Sequence, residues 1–159
     1  MERYRRIMVF IDFNREDREI ARRAWTLARA PGARFALAHV VDWGAGLACD
    51  EVLPLTPGEV KARLMPVVRR MLDTVAARIG VHGHVPLVSF PGPAVAALVK
   101  GWQPDVVVRR GPPGTSRLVV PGWECDVITM RVPTFSAASR VAAFLSRRRW
   151  PMAGTVLET

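Results

Sequence analysis

The sequence predicts a single-domain α/β protein with a five-stranded, mainly parallel sheet and helices on both faces of that sheet. Short continuous apolar runs, which are typical of strands buried on both faces, recur along the chain. Segments with helical periodicity or helix-start signals separate these runs. Parallel strands joined by right-handed helical crossovers satisfy this alternation. The 159 residues, half of them hydrophobic, are enough to bury one core.

The first half of the chain begins with a predicted β-α-β unit. The apolar run at residues 7–12 ends in Asp12, and Asn14 is placed to cap the helix that follows. Pro31-Gly32 ends this helix before strand character resumes at residues 35–41. Within that second strand we expect His39 to be a core histidine whose ring finds a backbone partner.

A long amphipathic helix is predicted to start at Pro57. Thr56-Pro57-Gly58-Glu59 has the residues of a capping box with proline at the first helical position, and Gly80 ends the helix. We expect one stripe of the helix to face the sheet: Val60, Leu64, Val67, Val68, Met71, Leu72, Val75 and Ile79.

Three further strands are predicted at residues 85–90, 105–109 and 125–131, with a short helix that Pro93 starts between the first two. Two histidines, His82 and His84, precede the third strand. They would point the same way in extended backbone, as a metal pair requires, but no third ligand is evident nearby, which favours exposed loop histidines.

The end of the chain is predicted to form one more helix. We divide the chain into an α/β domain at residues 1–133, a C-terminal helix at 134–150 and a loose tail at 151–159. The apolar stripe of this helix suggests that it covers the sheet or packs on a dimer partner. The terminal arginines leave contact with an acidic surface as an alternative.

Composition and charge argue against several functional classes. The net charge of +9 comes from 23 basic and 14 acidic residues, but the arginines are spread along the chain and interleaved with acids, so nucleic-acid binding is not expected to be the main role. No apolar run reaches the roughly 18 residues of a membrane span, and the N-terminus enters a strand instead of a signal peptide. Cys49 and Cys125 are far apart in sequence, which favours reduced thiols and a cytoplasmic location.

Four motifs together resemble the universal stress protein (UspA-like) family. They are Tyr4-Arg-Arg-Ile-Met-Val-Phe-Ile-Asp12, His39-Val-Val-Asp42, Gly92-Pro93-Ala94, and Arg109-Arg110-Gly111 followed by Ser116-Arg117-Leu118. The resemblance covers most of residues 4–131, and it implies the strand order 3-2-1-4-5 and a tendency to form homodimers. It also implies a nucleotide crevice between the first and fourth strands.

In nucleotide-binding members of that family, the acid corresponding to Asp12 and the backbone near Val40 contact the base. A pattern of Gly-x2-Gly-x9-Gly-Ser/Thr wraps the ribose and phosphates. If Gly111 is the second glycine, Val108 replaces the first and Pro121-Gly122 replaces the Gly-Ser pair. If Gly111 and Gly114 open the pattern, Glu124-Cys125 ends it, so the serine is absent in either alignment.

The helix that should follow the serine is also missing, and with it the free N–H groups that would bind phosphate. We therefore predict lost or weakened nucleotide binding and no resident cofactor. The alternative is that ATP, AMP or another phosphate ligand is held between Asp12 and the Gly111 loop, with Val40, Gly111 and Gly114 as further contacts.

Other interpretations of the same residues remain. A P-loop would need Gly-Lys-Ser/Thr where this chain has Ser116-Arg117-Leu118. The two glycines, with Arg109, Arg110 and Arg117, form either an anion-binding nest or an ordinary surface turn. Asp12 has an alternative, structural role: it either caps the first helix or pairs with an arginine of the opposite loop.

No catalytic set of side chains can be assembled, so we do not predict an enzyme, although weak nucleotide hydrolysis is left open. We expect a universal-stress-protein-like regulatory or interaction module with a protein partner, acting in the stress response. The homodimer is predicted to form through the last strand, from Cys125 to Arg131, placed at the sheet edge.

Overall fold

The computed structural model describes residues 4–28, 31–41, 56–120 and 123–132. The predicted C-terminal helix at 134–150 and the tail at 151–159 lie outside these residues. The elements in chain order are β1 (Arg6–Phe10), α1 (Asp17–Leu27), β2 (Arg34–Val40), α2 (Pro57–Arg78), β3 (Val85–Ser89), α3 (Pro93–Trp102), β4 (Val106–Arg110), β5 (Gly114–Val120) and β6 (Trp123–Met130).

The five predicted strands form one sheet, and their predicted order is confirmed. The sheet order is β3-β2-β1-β4-β6-β5, and β3, β2, β1, β4 and β6 run parallel to their neighbours. The sixth strand, β5, was not predicted. It lies outside β6 and runs antiparallel to it, from Gly114 opposite Thr129 to Val120 opposite Trp123.

The added strand corrects one prediction about the sheet edge. The strand from Cys125 to Arg131 was expected to be an edge, but β6 pairs with β4 on one side and with β5 on the other. Only two residues separate β5 from β6, and a connection this short can join antiparallel neighbours but not parallel ones. A Pro121-Gly122 pair between two apolar runs was the sequence signal for this hairpin.

The segment that joins β4 to β5 crosses the carboxyl end of β6. Arg110 pairs with Met130 on one side of β6, and Gly114 pairs with Thr129 on the other. Two strand spacings are roughly 9.6 Å, and the four steps from Arg110 to Gly114 reach about 13 Å when extended. The crossing therefore needs nearly extended backbone, which Pro112 and Pro113 favour.

Helices cover both faces of the sheet, as predicted. On one face, α1 and α2 pack on alternate strand residues, and Phe35, Ile7 and Leu72 are among the largest fully buried side chains of the chain described. On the other face, Val99 and Trp102 of α3 belong to a second apolar cluster. None of the described helices has both the length and the apolar character that a bilayer-spanning helix requires.

Helix α2 faces the sheet with a narrower stripe than its sequence predicted. Val68, Leu72 and Ala76 are buried, but Val67 and Met71 are 43% and 41% exposed, so the prediction that they face the core is wrong. Each exposed residue precedes a buried one and is rotated from it by about 100° around the helix. That rotation places the side chain on the flank of the helix.

The predicted capping box at the start of α2 is confirmed. The Thr56 hydroxyl accepts from the Glu59 N–H at 3.3 Å, and the Glu59 carboxylate accepts from the Thr56 N–H at 2.7 Å. The Glu59 carboxylate has a lowered pKa because it accepts hydrogen bonds from both the N–H and the hydroxyl of Thr56.

Removing the cap hydroxyl should weaken the start of α2. We expect Thr56→Ala to lower the free energy of unfolding by about 1 kcal/mol, measured by urea denaturation. Thr74→Ala is the matched control, because Thr74 lies inside the same helix and its hydroxyl only bonds back to the Arg70 carbonyl. Equal losses in the two variants would contradict the capping role.

Candidate functional site

Three of the residues predicted to form the site lie at one end of the sheet. The pairing of Phe10 with Ala38 puts Asp12 level with Val40, and the pairing of Val9 with Val108 puts Asp12 level with Gly111. Carboxyl ends of neighbouring parallel strands share one sheet edge, and β1 and β4 are the strands where the connections change direction. This is the position at which open α/β sheets bind ligands.

The loop after β1 is held by a buried acid that the sequence analysis missed. The Asp17 carboxylate accepts the N–H of Asp12 at 2.6 Å and that of Asn14 at 3.1 Å, and the residue is only 2% exposed. Burial raises the pKa of Asp17, opposed by the hydrogen bonds from Asn14 and Asp12. The Asn14 side chain accepts in return from the Asp17 N–H at 3.2 Å. The spacing Asn14-x-x-Asp17 is that of a capping box, and it was available in the sequence.

Asp12 itself is exposed, and the part of the chain described gives its carboxylate no hydrogen bond or ion pair. Neither structural alternative for this side chain is realised there. The N-cap residue of α1 is Glu16, without a side-chain cap. The Asn14 side chain, which was expected to cap this helix, instead accepts from the N–H groups of Glu16 and Asp17 in the turn that leads into it. The ion pair with the opposite loop is made by Glu16, whose carboxylate lies 3.7 Å from Arg110 Nη1. The Asp12 carboxylate thus faces solvent at the sheet edge.

The Phe13 and His39 rings pack against each other, with centroids 4.6 Å apart. Phe13 has a φ of 61°, which non-glycine residues seldom adopt. His39 Nδ1 lies 2.5 Å from the Ile11 carbonyl oxygen, and because a carbonyl can only accept, Nδ1 carries the proton. The prediction that this histidine finds a backbone partner is confirmed.

A separate cleft of about 370 Å³ lies beside Gly111. It is lined by the loop residues 110–113 together with Glu16, Arg131 and Val132. Asp12 and Val40 are not among the lining residues. The structure therefore places the two halves of the predicted crevice at one sheet edge but encloses only the Gly111 half, where two arginines face one glutamate.

The Gly111 loop offers no free backbone donor between residues 111 and 113. The Gly111 N–H donates to the Met130 carbonyl at 3.0 Å, and Pro112 and Pro113 have no N–H. Gly114 begins β5 and pairs with Thr129, so the two glycines do not belong to one loop. Ser116 to Leu118 also lie in β5, where a P-loop would require the start of a helix.

Close packing explains why residue 111 is glycine. A Cβ atom at this position would lie 2.5 Å from Thr129 Cγ2, much closer than van der Waals contact. A Cβ at Gly114 would meet nothing within 4 Å. The close approach of the loop to β6 therefore requires a glycine at position 111. The family pattern would attribute this glycine to phosphate binding instead.

The histidines before β3 do not form a metal site. His84, which directly precedes β3, has its Nε2 atom 3.0 Å from Asp73 Oδ1 of α2. This contact becomes an ion pair when the imidazole is protonated. His82 is exposed. Across the described residues, no three or more His, Cys, Asp or Glu side chains are grouped as metal ligands.

Cys125 is buried in the second apolar cluster. Desolvation raises the pKa of its thiol to about 11. Only a small fraction of this group is thiolate at neutral pH, and the thiolate is the nucleophilic form. The structure thus gives this cysteine a packing role.

The sheet order and the change of connection direction between β1 and β4 define an open, doubly wound α/β fold. The family model of the universal stress protein family matches residues 3–121. The chain belongs to this family. The match ends two residues before β6 begins.

The chain is similar to several solved structures, and the first of them supports the fold. The hypothetical protein MJ0577 has a TM-score of 0.51 and 13% identity over 70% of this chain and 77% of that protein. A universal stress protein family member from Burkholderia pseudomallei has a TM-score of 0.47 and 21% identity, covering 69% and 83%. A universal stress protein in complex with cAMP has a TM-score of 0.44 and 16% identity, covering 92% and 91%. No curated protein matches the chain in sequence.

Proposed function

We propose that this chain is a cytoplasmic, homodimeric regulatory or interaction module in which the nucleotide binding of the universal stress protein family is lost or weakened. The observation that carries the proposal is the Gly111 loop. A phosphate group is held by converging N–H donors and the positive end of a helix. Residues 111–113 present no free N–H, and the chain continues into β5 instead of a helix.

The electrostatics of the cleft support the same conclusion. Arg110 is near enough to Glu16 for an ion pair, at 3.7 Å, so part of its charge is already neutralised. The base end is open as well, because the Asp12 carboxylate is exposed and lies outside the enclosed cleft. A nucleotide would therefore find neither a phosphate cradle nor an enclosed base site.

The homodimer is proposed to form through β5. This strand occupies the end of the described sheet next to β6, and an edge strand leaves one row of backbone groups able to pair with a second copy. A two-fold axis would set two β5 strands side by side. Sedimentation analysis should give twice the chain mass, and a strict monomer at high protein concentration would contradict this part.

Native mass spectrometry tests nucleotide binding directly. The protein is sprayed alone and with ATP and Mg²⁺, with AMP, and with cAMP. We expect an empty dimer in every case, because the loop lacks phosphate donors. A stoichiometric complex that survives in the unchanged protein and disappears in Asp12→Ala would overturn the proposal.

The second candidate is a phosphate-containing ligand bound at the Gly111 cleft. The observation in its favour is the approach of Arg110 and Arg131 to one cavity of about 370 Å³. This candidate predicts retained nucleotide or phosphate that is lost in Arg131→Ala. Arg109→Ala serves as the control, because Arg109 is exposed but is not among the residues that line the cleft.

A further inference from the structure

A second groove lies between α2 and the start of α1, and it shares no lining residue with the Gly111 cleft. It encloses about 450 Å³, which is within the usual size range of binding sites. Its apolar lining consists of Ile11, Phe13, Met71 and Val75. We call it the α1/α2 groove.

The apolar surface of the groove continues onto the exposed side of α2. Met71 and Val67 are the exposed large hydrophobic residues of the described chain, at 41% and 43%. They lie one helical turn apart and therefore adjoin each other. Exposed apolar side chains that occur singly are ordinary, but a cluster that continues into a groove indicates an interaction surface.

Arginines surround this apolar surface. Arg15 and Arg18 line the groove from the side of α1, and Arg78 lines it from α2. The described residues provide no ion pair for any of the three, and one Arg18 nitrogen donates to the Arg78 carbonyl at 3.3 Å. The groove thus combines an apolar floor with a positively charged rim.

The acids that α1 and α2 themselves carry beside the groove are already engaged. Asp17 lines it, but its carboxylate is buried and accepts two backbone N–H groups of the β1–α1 loop. Glu19 binds Arg22 and Arg23, each at 2.8 Å. Asp73 contacts His84 at the opposite flank of α2. The positive charge at the rim is therefore available to an outside partner.

We propose that the α1/α2 groove docks an acidic amphipathic helical segment of a partner protein. Apolar residues of that segment, one turn apart, would cover Val67 and Met71. Carboxylates beside them would face Arg15, Arg18 and Arg78. This is the helix-in-groove mode of recognition, in which regularly spaced apolar anchors give affinity and charges give specificity.

Charge and polarity favour this occupant over the others. In a two-fold contact through the groove, a second copy would bring the same three arginines to it, so the two rims would repel each other. A nucleic acid would satisfy the arginines but not the apolar floor, because base-independent binding relies on phosphate contacts. An acidic amphipathic segment satisfies both features. The inference rests on the interaction role proposed above and specifies its partner.

The test uses a fluorescein-labelled helical peptide of about twenty residues, with leucines one turn apart and glutamates beside them. Fluorescence anisotropy is measured with the full chain at roughly physiological salt, where long-range attraction is screened. We expect saturable binding. A peptide of the same composition with its leucines distributed around the helix should bind about tenfold more weakly, and equal binding of the two would overturn the proposal.

Two charge reversals distinguish the groove from general attraction. Arg15→Glu changes the rim, whereas Arg69→Glu makes the same charge change at an exposed residue on the other flank of α2, about 200° from Val67. We expect Arg15→Glu to weaken peptide binding about tenfold and Arg69→Glu to leave it nearly unchanged. Equal weakening would overturn the proposal. Circular dichroism checks that both variants fold.

Met71→Gln tests the apolar floor without changing charge. It should weaken binding of the leucine peptide severalfold and leave the weak binding of the redistributed peptide unchanged.

A nucleic acid is the alternative partner. If a single-stranded oligonucleotide binds more tightly than the peptide, and Arg15→Glu abolishes that binding, the partner is a nucleic acid and the proposal is overturned. If the protein is a dimer without nucleotide and does not bind the peptide, only this inference is overturned. If the protein retains a nucleotide, the proposed function is overturned, but the peptide measurement still tests the groove.

Discussion

Replacing Asp17 with alanine is expected to lower the free energy of unfolding by about 3 kcal/mol. The variant would leave the N–H groups of Asp12 and Asn14 without the carboxylate that now accepts both, and an unpaired buried donor costs about 1–3 kcal/mol. Urea denaturation at neutral pH measures the loss. A variant as stable as the original protein would mean that water replaces the carboxylate without cost.

Asp17→Asn separates the hydrogen bonds from the charge. The amide oxygen still accepts a hydrogen bond, so we expect a smaller loss of stability than in Asp17→Ala. The side chain no longer carries a charge, so the desolvation of the buried carboxylate, which raises the pKa of Asp17, disappears.

The pH dependence follows from the sign of that shift. The folded state holds the Asp17 proton to higher pH than the unfolded state, whose pKa has the ordinary value of 3.8. The folded state therefore binds more protons between the two pKa values. The stabilising contribution of this group is complete below pH 3.8 and is lost as the pH rises through the raised folded pKa. Asp17→Asn should lack this decline, and an unchanged pH profile would contradict the assignment.

The sequence predicted the parts of the fold that local chemistry determines. The apolar run that forms β1 has a fully buried centre from Ile7 to Val9, because a strand with no polar positions is stable only between two layers. The capping box of α2 is a contact between residues three apart, Thr56 and Glu59. Such interactions do not depend on how the rest of the chain folds.

The strand β5 was missed because it lacks a strand pattern of its own and depends on pairing with β6, the next strand in the chain. Its sequence, Gly-Thr-Ser-Arg-Leu-Val-Val, lacks the continuous apolar pattern of the buried strands. It pairs with β6 along seven positions, from Gly114 to Val120. The family pattern implies a helix at this place, which conflicts with the hairpin signal of Pro121-Gly122.

The candidate site also combines features that the local sequence predicts with features that depend on tertiary packing. Asp12 could be placed at the sheet edge because it ends an apolar run, and Gly111 because it follows another. The lining of the cleft could not be predicted, since it depends on where the chain leaves β6 at Arg131. The outward position of Val67 and Met71 also depends on tertiary packing, because helical periodicity alone does not define how much of a helix flank the neighbours cover.

Replacing Gly111 with alanine is expected to lower the free energy of unfolding by about 2 kcal/mol. The new Cβ would approach Thr129 Cγ2 to 2.5 Å, and overpacking of this kind costs about 1–3 kcal/mol. The φ of 158° at this residue adds to the cost, because L-residues rarely adopt it. Gly114→Ala is the matched control: its Cβ would meet nothing within 4 Å, so little change is expected.

A double variant shows whether the glycine serves packing or a phosphate. Thr129→Ser removes the Cγ2 methyl group and keeps the hydroxyl, so Gly111→Ala combined with Thr129→Ser should regain about 1 kcal/mol relative to the sum of the single changes. The cost of the unusual φ would remain in the double variant. Independent, additive effects would show that the methyl contact is not the reason for the glycine. If the single change then also abolished retention of a nucleotide, the loop would bind phosphate after all, and the loss of nucleotide binding proposed for this chain would be wrong.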